Sequence, residues 1–237
     1  MRRAASLLRR ALRTRDWSVP VQIGLSRLLQ LAILAVFMVA AWEGQWLVAF
    51  TALAVLALTF LPALIERQLS VHLPVEFTLV TSVFLYASFG LGEVRGFYQR
   101  FWWWDILLHS TSALVMGLIG FLLVYVFYST HRVRMAPLYV GMVCFGFAVT
   151  VGTLWEIFEF GMDWAFGFNM QKSGLVDTMT DLMVDTLGAL LAACIAYRYA
   201  RHGDAALAVP LVRRFVAENP ELLRQADAAA TIEEKSR

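Results

Sequence analysis

The sequence predicts an all-α, polytopic membrane protein of about six transmembrane helices, with both termini in the cytoplasm. The 237 residues are 59% hydrophobic and only 16% charged, and their mean hydropathy is +0.64. One soluble core of this size cannot hide so many apolar residues. A helix needs roughly 20 mostly apolar residues to cross a bilayer. Apolar runs of about that length lie near 23–41, 46–65, 75–92, 105–128, 137–160 and 181–199.

The distribution of basic residues predicts the orientation, because cytoplasmic loops are enriched in Lys and Arg. The loops assigned to the outside carry only Arg95, Arg100 and Lys172. The chain therefore divides into a basic cytoplasmic segment (1–20), a transmembrane helical domain (21–200) and a cytoplasmic tail (201–237). The net charge of +2 does not indicate a nucleic-acid partner, and none is predicted. The arginines assigned to the cytoplasm are Arg2, Arg3, Arg9, Arg10, Arg13, Arg15, Arg132, Arg134, Arg198, Arg201, Arg213 and Arg214.

The first three runs carry local signals of membrane helices. No small-residue cleavage site closes the first run, so we expect a span there and not a removable signal. Trp42 and Trp46 bracket the turn to the second run, as aromatic residues do at membrane interfaces. Pro62 lies late in the second run. Pro74 starts the third, at a position where the missing N–H costs nothing.

The last three runs carry the polar residues. Asp105 and His109 open the fourth run at i and i+4, so they share one helical face. Gly117 and Gly120 follow in the same run and would allow close approach of another helix. The fifth run closes with WEIFEFGMD, and DTMTDLMVD opens the sixth.

An acidic cluster is predicted near the outer membrane face, since spans three and five end there while spans four and six start there. Glu156, Glu159 and Asp163 occupy a helical arc of about 60°, and Asp177, Asp181 and Asp185 drift only about 80°. Each ionised Asp at the bilayer centre costs roughly 2.5–3.5 kcal/mol, and protonating a Glu at pH 7 costs about 3.7 kcal/mol. A bound cation removes both costs. The carboxylates of this region are Glu93, Asp105, Glu156, Glu159, Asp163, Asp177, Asp181 and Asp185.

Three interpretations of this cluster stay open. In the first, a divalent cation of unknown identity is held by a mixed nitrogen and oxygen ligand set, and it could activate water against a lipid or lipid-linked substrate. Its predicted ligands are His109, Glu156, Glu159, Asp181 and Asp185, supported by Glu93, Asp105, Asp163, Asp177, Arg95 and Arg100. In the second, the same groups form a proton or ion pathway. In the third, the acids cap helices and pair with Arg95, Arg100 and Lys172, and the protein has a structural or partner-binding role.

The chain contains no Walker loop, HExxH, CxxC, dinucleotide fingerprint or nucleophile elbow. Whether it is an enzyme, and its oligomeric state, are therefore left open.

The three polar motifs also resemble a known family. They are Asp-x3-His (Asp105, His109), Trp-Glu-x2-Glu (Trp155, Glu156, Glu159) and Asp-x3-Asp-x3-Asp-x2-Gly-Ala (Asp177, Asp181, Asp185, Gly188, Ala189). In this order they resemble the YjdF-like family of bacterial inner-membrane proteins of unknown function, which is distantly similar to VanZ-like proteins. The resemblance covers roughly 75–200. It implies a polytopic helical protein in the bacterial inner membrane and no particular activity.

Overall fold

The computed structural model describes residues 18–69, 72–129, 135–205 and 207–220, and this part of the chain is all-helical, without a strand. The helices form two compact units, Met1–Phe101 and Trp102–Arg237. The domain predicted over 21–200 contains parts of both. The basic segment up to residue 17, the loop with Arg132 and Arg134, and the tail beyond 220 lie outside the described residues.

The first unit contains α1 (Ser18–Trp42), α2 (Trp46–Leu58), α3 (Leu61–Leu69), α4 (Val75–Leu85), a π-helical segment (Tyr86–Val94) that continues α4, and α5 (Phe97–Arg100). Helix α1 packs against α2 and α4. The π-helical segment is tightly packed at Gly92, where an added Cβ would lie 2.4 Å from the Tyr98 ring. Only glycine fits at that position without movement of the ring.

The second predicted span, 46–65, is a bent pair of helices. The axes of α2 and α3 meet at 43° across a short break. Pro62 explains the break, because its ring clashes with the carbonyl four residues earlier and it has no N–H to donate. The Thr59 hydroxyl fills the gap by donating to the Leu56 carbonyl oxygen at 2.6 Å. It also accepts from Gln30 Nε2 of α1 at 3.0 Å.

The second unit contains three long helices and a short one. They are α6 (Trp104–Ser129), α7 (Pro137–Phe166), α8 (Leu175–His202) and α9 (Ala208–Glu218). Helices α6, α7 and α8 each pack against the other two. Both α7 and α8 extend past the apolar runs 137–160 and 181–199. Asp163 and Asp177 therefore lie inside helices, because a helix does not have to stop where the membrane-spanning run ends.

Short side chains bring these three helices together. An added Cβ at Gly117 of α6 would lie 2.3 Å from the Ala192 Cβ of α8. At Gly188 of α8 it would lie 2.9 Å from the Ser110 carbonyl oxygen of α6. The α7–α8 interface is similar, since an added Cβ at Gly141 would lie 3.2 Å from the Ala193 carbonyl oxygen. Small residues are the usual means of close helix packing in a bilayer, where lipid gives no hydrophobic drive for association.

We expect Gly117→Ala to destabilise the second unit by about 1–3 kcal/mol, the usual cost of overpacking a tight interface. Gly146→Ala in α7 is the matched control, since no atom lies within 4 Å of its added Cβ. Ala is the better helix former by about 1 kcal/mol, so the control should be neutral or slightly stabilising. Unfolding in detergent, followed by circular dichroism, measures both. Equal stabilities would contradict this packing.

Within the described part of the chain, five helices are long and apolar enough to cross a membrane, namely α1, α4 with its π-helical segment, α6, α7 and α8. The bent α2–α3 pair makes a sixth if it counts as one span. The predicted all-α polytopic fold is confirmed. The chain is a multi-pass membrane protein whose surroundings are the lipid bilayer.

Helix α9 is amphipathic and packs against α8. Its buried side is formed by Ala208, Val212 and Phe215, while Arg213 and Arg214 are exposed. Pro210 lies in its first turn, where the missing N–H is tolerated. The apolar face of α9 is therefore already covered by protein.

Candidate metal centre

Three helices of the second unit bring one histidine and several carboxylates together. His109 lies in the second turn of α6, Glu156 lies late in α7, and Asp181 and Asp185 lie early in α8. The four-residue spacing of Asp177, Asp181 and Asp185 places them along one side of α8. All four residues are buried, since His109, Glu156, Asp181 and Asp185 are between 3% and 8% exposed.

The two ring nitrogens of His109 have different surroundings. Nδ1 lies 3.3 Å from Asp185 Oδ1, so we assign it the proton, which it donates to that carboxylate. Nε2 then carries a lone pair. It faces Asp105 Oδ1 at 3.9 Å, Glu156 Oε1 at 3.9 Å and Asp181 Oδ2 at 4.0 Å. A lone pair opposite three carboxylate oxygens is repulsive unless a proton or a cation lies between them.

Glu156 is the least satisfied group of the cluster. Its side chain is 3% exposed, and neither carboxylate oxygen accepts a hydrogen bond of normal geometry from any residue that the structure describes. The Thr178 hydroxyl approaches it without the alignment of such a bond. A buried acceptor without a donor costs about 1–3 kcal/mol, and a charged one costs more. A cation or a further donor beside Glu156 would remove this cost.

Asp185 supports the histidine. A carboxylate that accepts from the far nitrogen of a metal-binding histidine fixes its tautomer and its ring orientation. Gly152 of α7 leaves the space that the Asp185 carboxylate occupies, because an added Cβ at this position would lie 2.3 Å from Asp185 Oδ2. The sequence interpretation missed Gly152. The signal that could have found it is its position one helical turn before Glu156, on the same face of α7.

The loop between α7 and α8 is anchored by two of the predicted supporting acids. Asp163 accepts from the backbone N–H of Met170 at 2.7 Å and of Gln171 at 2.9 Å. Asp177, in the first turn of α8, accepts from the Lys172 N–H at 2.9 Å through Oδ2. Gly174 is the N-cap residue of α8, and the Asp177 side chain bonds to a residue that precedes this cap. These bonds hold the start of α8 beside the end of α7.

Each of the remaining predicted site residues either has another hydrogen-bond partner or belongs to the first unit. Glu159 accepts a hydrogen bond from Trp155 Nε1, one turn earlier in α7, at 2.9 Å. It is not among the side chains whose ligand atoms lie close enough together to share a cation. Glu93, Arg95 and Arg100 belong to the first unit. There, Glu93 lies in the last turn of the π-helical segment, Arg95 follows that segment, and Arg100 ends α5. Their predicted supporting role stays a prediction.

Among the residues that the structure describes, two groups of three side chains have the geometry to share a cation. In each group one ligand atom per residue lies within 4.8 Å of the others. The first group is His109, Glu156 and Asp181, and the second is Asp105, Asp177 and Asp181. Ligands about 2.0–2.2 Å from a tetrahedral zinc ion are about 3.3–3.6 Å apart. The His109 contacts of 3.9–4.0 Å would therefore contract by roughly half an ångström around such an ion.

Comparisons with known proteins identify relatives without a known activity. A family profile described as "Predicted membrane protein (DUF2238)" matches residues 25–202. An uncharacterized protein of Thermotoga maritima is 35% identical over 146 residues, which cover 59% of this chain and 71% of the relative. No solved structure matches. The family match agrees with the YjdF-like resemblance and does not test the distant VanZ-like relation.

Proposed function

The chain belongs to the DUF2238 family of predicted membrane proteins, and on that premise we propose that it binds a divalent cation inside the membrane domain, near the outer membrane face. The proposed ligands are His109 Nε2, Glu156 and Asp181, with Asp185 as the residue that positions His109. The observation that carries the proposal is the buried Glu156 carboxylate, which accepts no hydrogen bond of normal geometry from the described residues. Its Oε1 faces the histidine nitrogen that Asp185 leaves unprotonated.

The ligand chemistry favours a transition metal over a purely oxygen-preferring ion. One imidazole with two carboxylates suits zinc, manganese or iron. Three protein ligands leave a coordination position for water or substrate, as in catalytic metal sites. An ion there would polarise a bound oxygen or lower the pKa of a bound water. The three side chains come from three different helices, so the ion would also hold α6, α7 and α8 together.

We propose a lipid or a lipid-linked molecule as the substrate class. A groove of about 440 Å³ runs between α6 and α8, and Ile106, Ser110, Val184 and Gly188 are among the residues that line it. Ile106 follows Asp105, Ser110 follows His109 and Val184 precedes Asp185, so the groove lies at the same level along α6 and α8 as these acids and His109. Its other lining is mostly aliphatic, which suits a hydrocarbon chain whose polar head would reach the cation.

Metal content tests the proposal directly. The full-length protein is purified in detergent, incubated with zinc, manganese or ferrous iron, desalted, and measured by inductively coupled plasma mass spectrometry. We expect at least one equivalent per chain in the native protein and a loss of one equivalent in His109→Ala. Glu43→Gln is the control, because Glu43 is exposed and bonded to Gln45 in the turn between α1 and α2. It should retain all the metal.

The absence of metal from the native protein under all three conditions would overturn the proposal. The full native amount of metal in His109→Ala would place the ion elsewhere in the chain. In either case the contiguous acids and His109 would be tested next as a proton or ion pathway. The assay is pH-dependent flux in liposomes, with Glu156→Gln beside the native protein.

A further inference from the structure

We infer that the site holds a second divalent cation, bound by Asp105, Asp177 and Asp181, so that Asp181 bridges two ions. This inference rests on the proposed function, since the first ion is the one proposed at His109, Glu156 and Asp181. The second site would be an all-oxygen one. It takes the class of ion that prefers carboxylates and water, such as Mn²⁺ or Mg²⁺.

The first observation is that Asp181 belongs to both groups of potential ligands. Its oxygen lies within 4.8 Å of ligand atoms of His109 and Glu156, and likewise of Asp105 and Asp177. Asp181 is 3% exposed, so water cannot freely solvate the two oxygens of its carboxylate. Sites with two ions about 3.5–4 Å apart commonly share such a ligand. A bridging role uses both Asp181 oxygens.

The second observation is that neither oxygen of Glu156 accepts a hydrogen bond of normal geometry from a described residue. Oε1 faces His109 Nε2, and an ion at that position would satisfy this oxygen. The second oxygen is equally buried and equally without a hydrogen bond from a described residue. His109 Nε2 lies 3.9 Å from both Glu156 Oε1 and Asp105 Oδ1. The two groups of potential ligands therefore adjoin at His109, beside the Glu156 carboxylate.

The third observation is the charge of the cluster. It contains five carboxylates, on Asp105, Glu156, Asp177, Asp181 and Asp185. The ammonium of Lys172 acts on Asp105. With all five ionised and a neutral metal-bound histidine, the Lys172 ammonium leaves four negative charges uncompensated. One divalent ion neutralises half of them and a second neutralises the rest. Uncompensated charge is expensive in a membrane domain.

The second site is the more accessible of the two. The Asp105 side chain is 28% exposed, whereas Glu156 and Asp181 are nearly buried. An ion held by Asp105 and Asp177 would thus retain water ligands, as oxygen-preferring ions usually do. The inner ion would be held by the buried ligands and the outer one would exchange with solvent.

Titration with Mn²⁺ tests the second site, because this ion accepts both ligand sets. Full-length protein in nanodiscs is titrated, and free Mn²⁺ is quantified by electron paramagnetic resonance at equilibrium, so a weakly held ion is counted too. We expect two ions per chain in the native protein and one in Asp177→Asn. Asn keeps a side-chain oxygen for the Lys172 N–H, so the start of α8 should still form. Asp105→Asn, which removes a different ligand, should also bind one.

The stoichiometry separates this inference from the proposed function. One ion in the native protein, retained in both variants, overturns the second site and leaves the first intact. No bound ion in the native protein overturns both. Two ions in the native protein and in both variants would place the second ion away from Asp105 and Asp177, and would also overturn the inference. Glu43→Gln, with two ions expected, controls for the effect of losing a carboxylate outside the cluster.

Discussion

Glu156→Gln should yield a protein that is more stable than the native chain without metal and that gains less from metal. In the native chain neither oxygen of this buried carboxylate accepts a hydrogen bond of normal geometry from the described residues. A glutamine has nearly the same shape, carries no charge, and brings an NH₂ group that can donate to neighbouring carboxylates. We expect an increase in the free energy of unfolding of about 1–3 kcal/mol, the usual penalty of a buried unsatisfied group.

The same substitution should remove the stabilisation that the ion at His109, Glu156 and Asp181 provides. A ligand present at 100 times its Kd stabilises the folded state by about 2.7 kcal/mol. Unfolding in detergent, with a chelator and with Mn²⁺ or Zn²⁺, measures both effects in one series. Glu159→Gln is the matched control, three residues along α7, whose carboxylate is bonded to Trp155. It should behave like the native chain in metal. A native-like response to metal in Glu156→Gln would contradict the proposed ligand set.

Gly152→Ala should weaken metal binding by about 10–100-fold, the usual effect of losing the residue that orients a metal-binding histidine. The new Cβ would lie 2.3 Å from Asp185 Oδ2 and 3.0 Å from its Cγ. Asp185 would have to move, and its 3.3 Å contact with His109 Nδ1 would be lost or lengthened. Overpacking should also lower the free energy of unfolding by about 1–3 kcal/mol.

Gly161→Ala in the same helix separates this effect from the general consequences of replacing a glycine, because no atom lies within 4 Å of its added Cβ. Metal affinity, measured by competition with a chromogenic chelator, should be unchanged in Gly161→Ala. Equal affinity of the native chain and Gly152→Ala would show that the position of Asp185 does not control binding. A double variant of Gly152→Ala with Asp185→Ser, which removes the clash, should recover stability without recovering affinity.

Much of the fold could be predicted from composition and local pattern. A run of about 20 apolar residues can be buried in lipid only as a helix, because a bilayer offers no partner for free backbone groups. This requirement is local, and it gave the positions of α1, α6, α7 and α8. The bend between α2 and α3 was not predicted, although Pro62 was noted. The predicted runs stop several residues before the end of α7 and begin several residues after the start of α8. Apolar runs mark the part of a helix that lies in the membrane and not the helix termini.

The residues of the candidate site were predicted in part by the same local reasoning. The spacing of Asp105 and His109, and of Asp177, Asp181 and Asp185, fixes their shared helical faces in any α-helix. Spacing could not rank Glu156 above Glu159, because both lie on one arc of α7. In the structure the first faces His109 and the second is bonded to Trp155. The ligand set as a whole is still a prediction, and metal analysis will decide it.

The sequence by itself determined the class of protein, the helical segments and the end of the bundle where the acids gather, since these follow from hydropathy and helical period along one segment. Only the tertiary structure decided which acid meets which nitrogen of His109, and that Gly152 makes room for Asp185. Those contacts join α6, α7 and α8, and they depend on how closely and at what rotation three helices pack. The periodicity of one helix contains no information about the rotation of its neighbour.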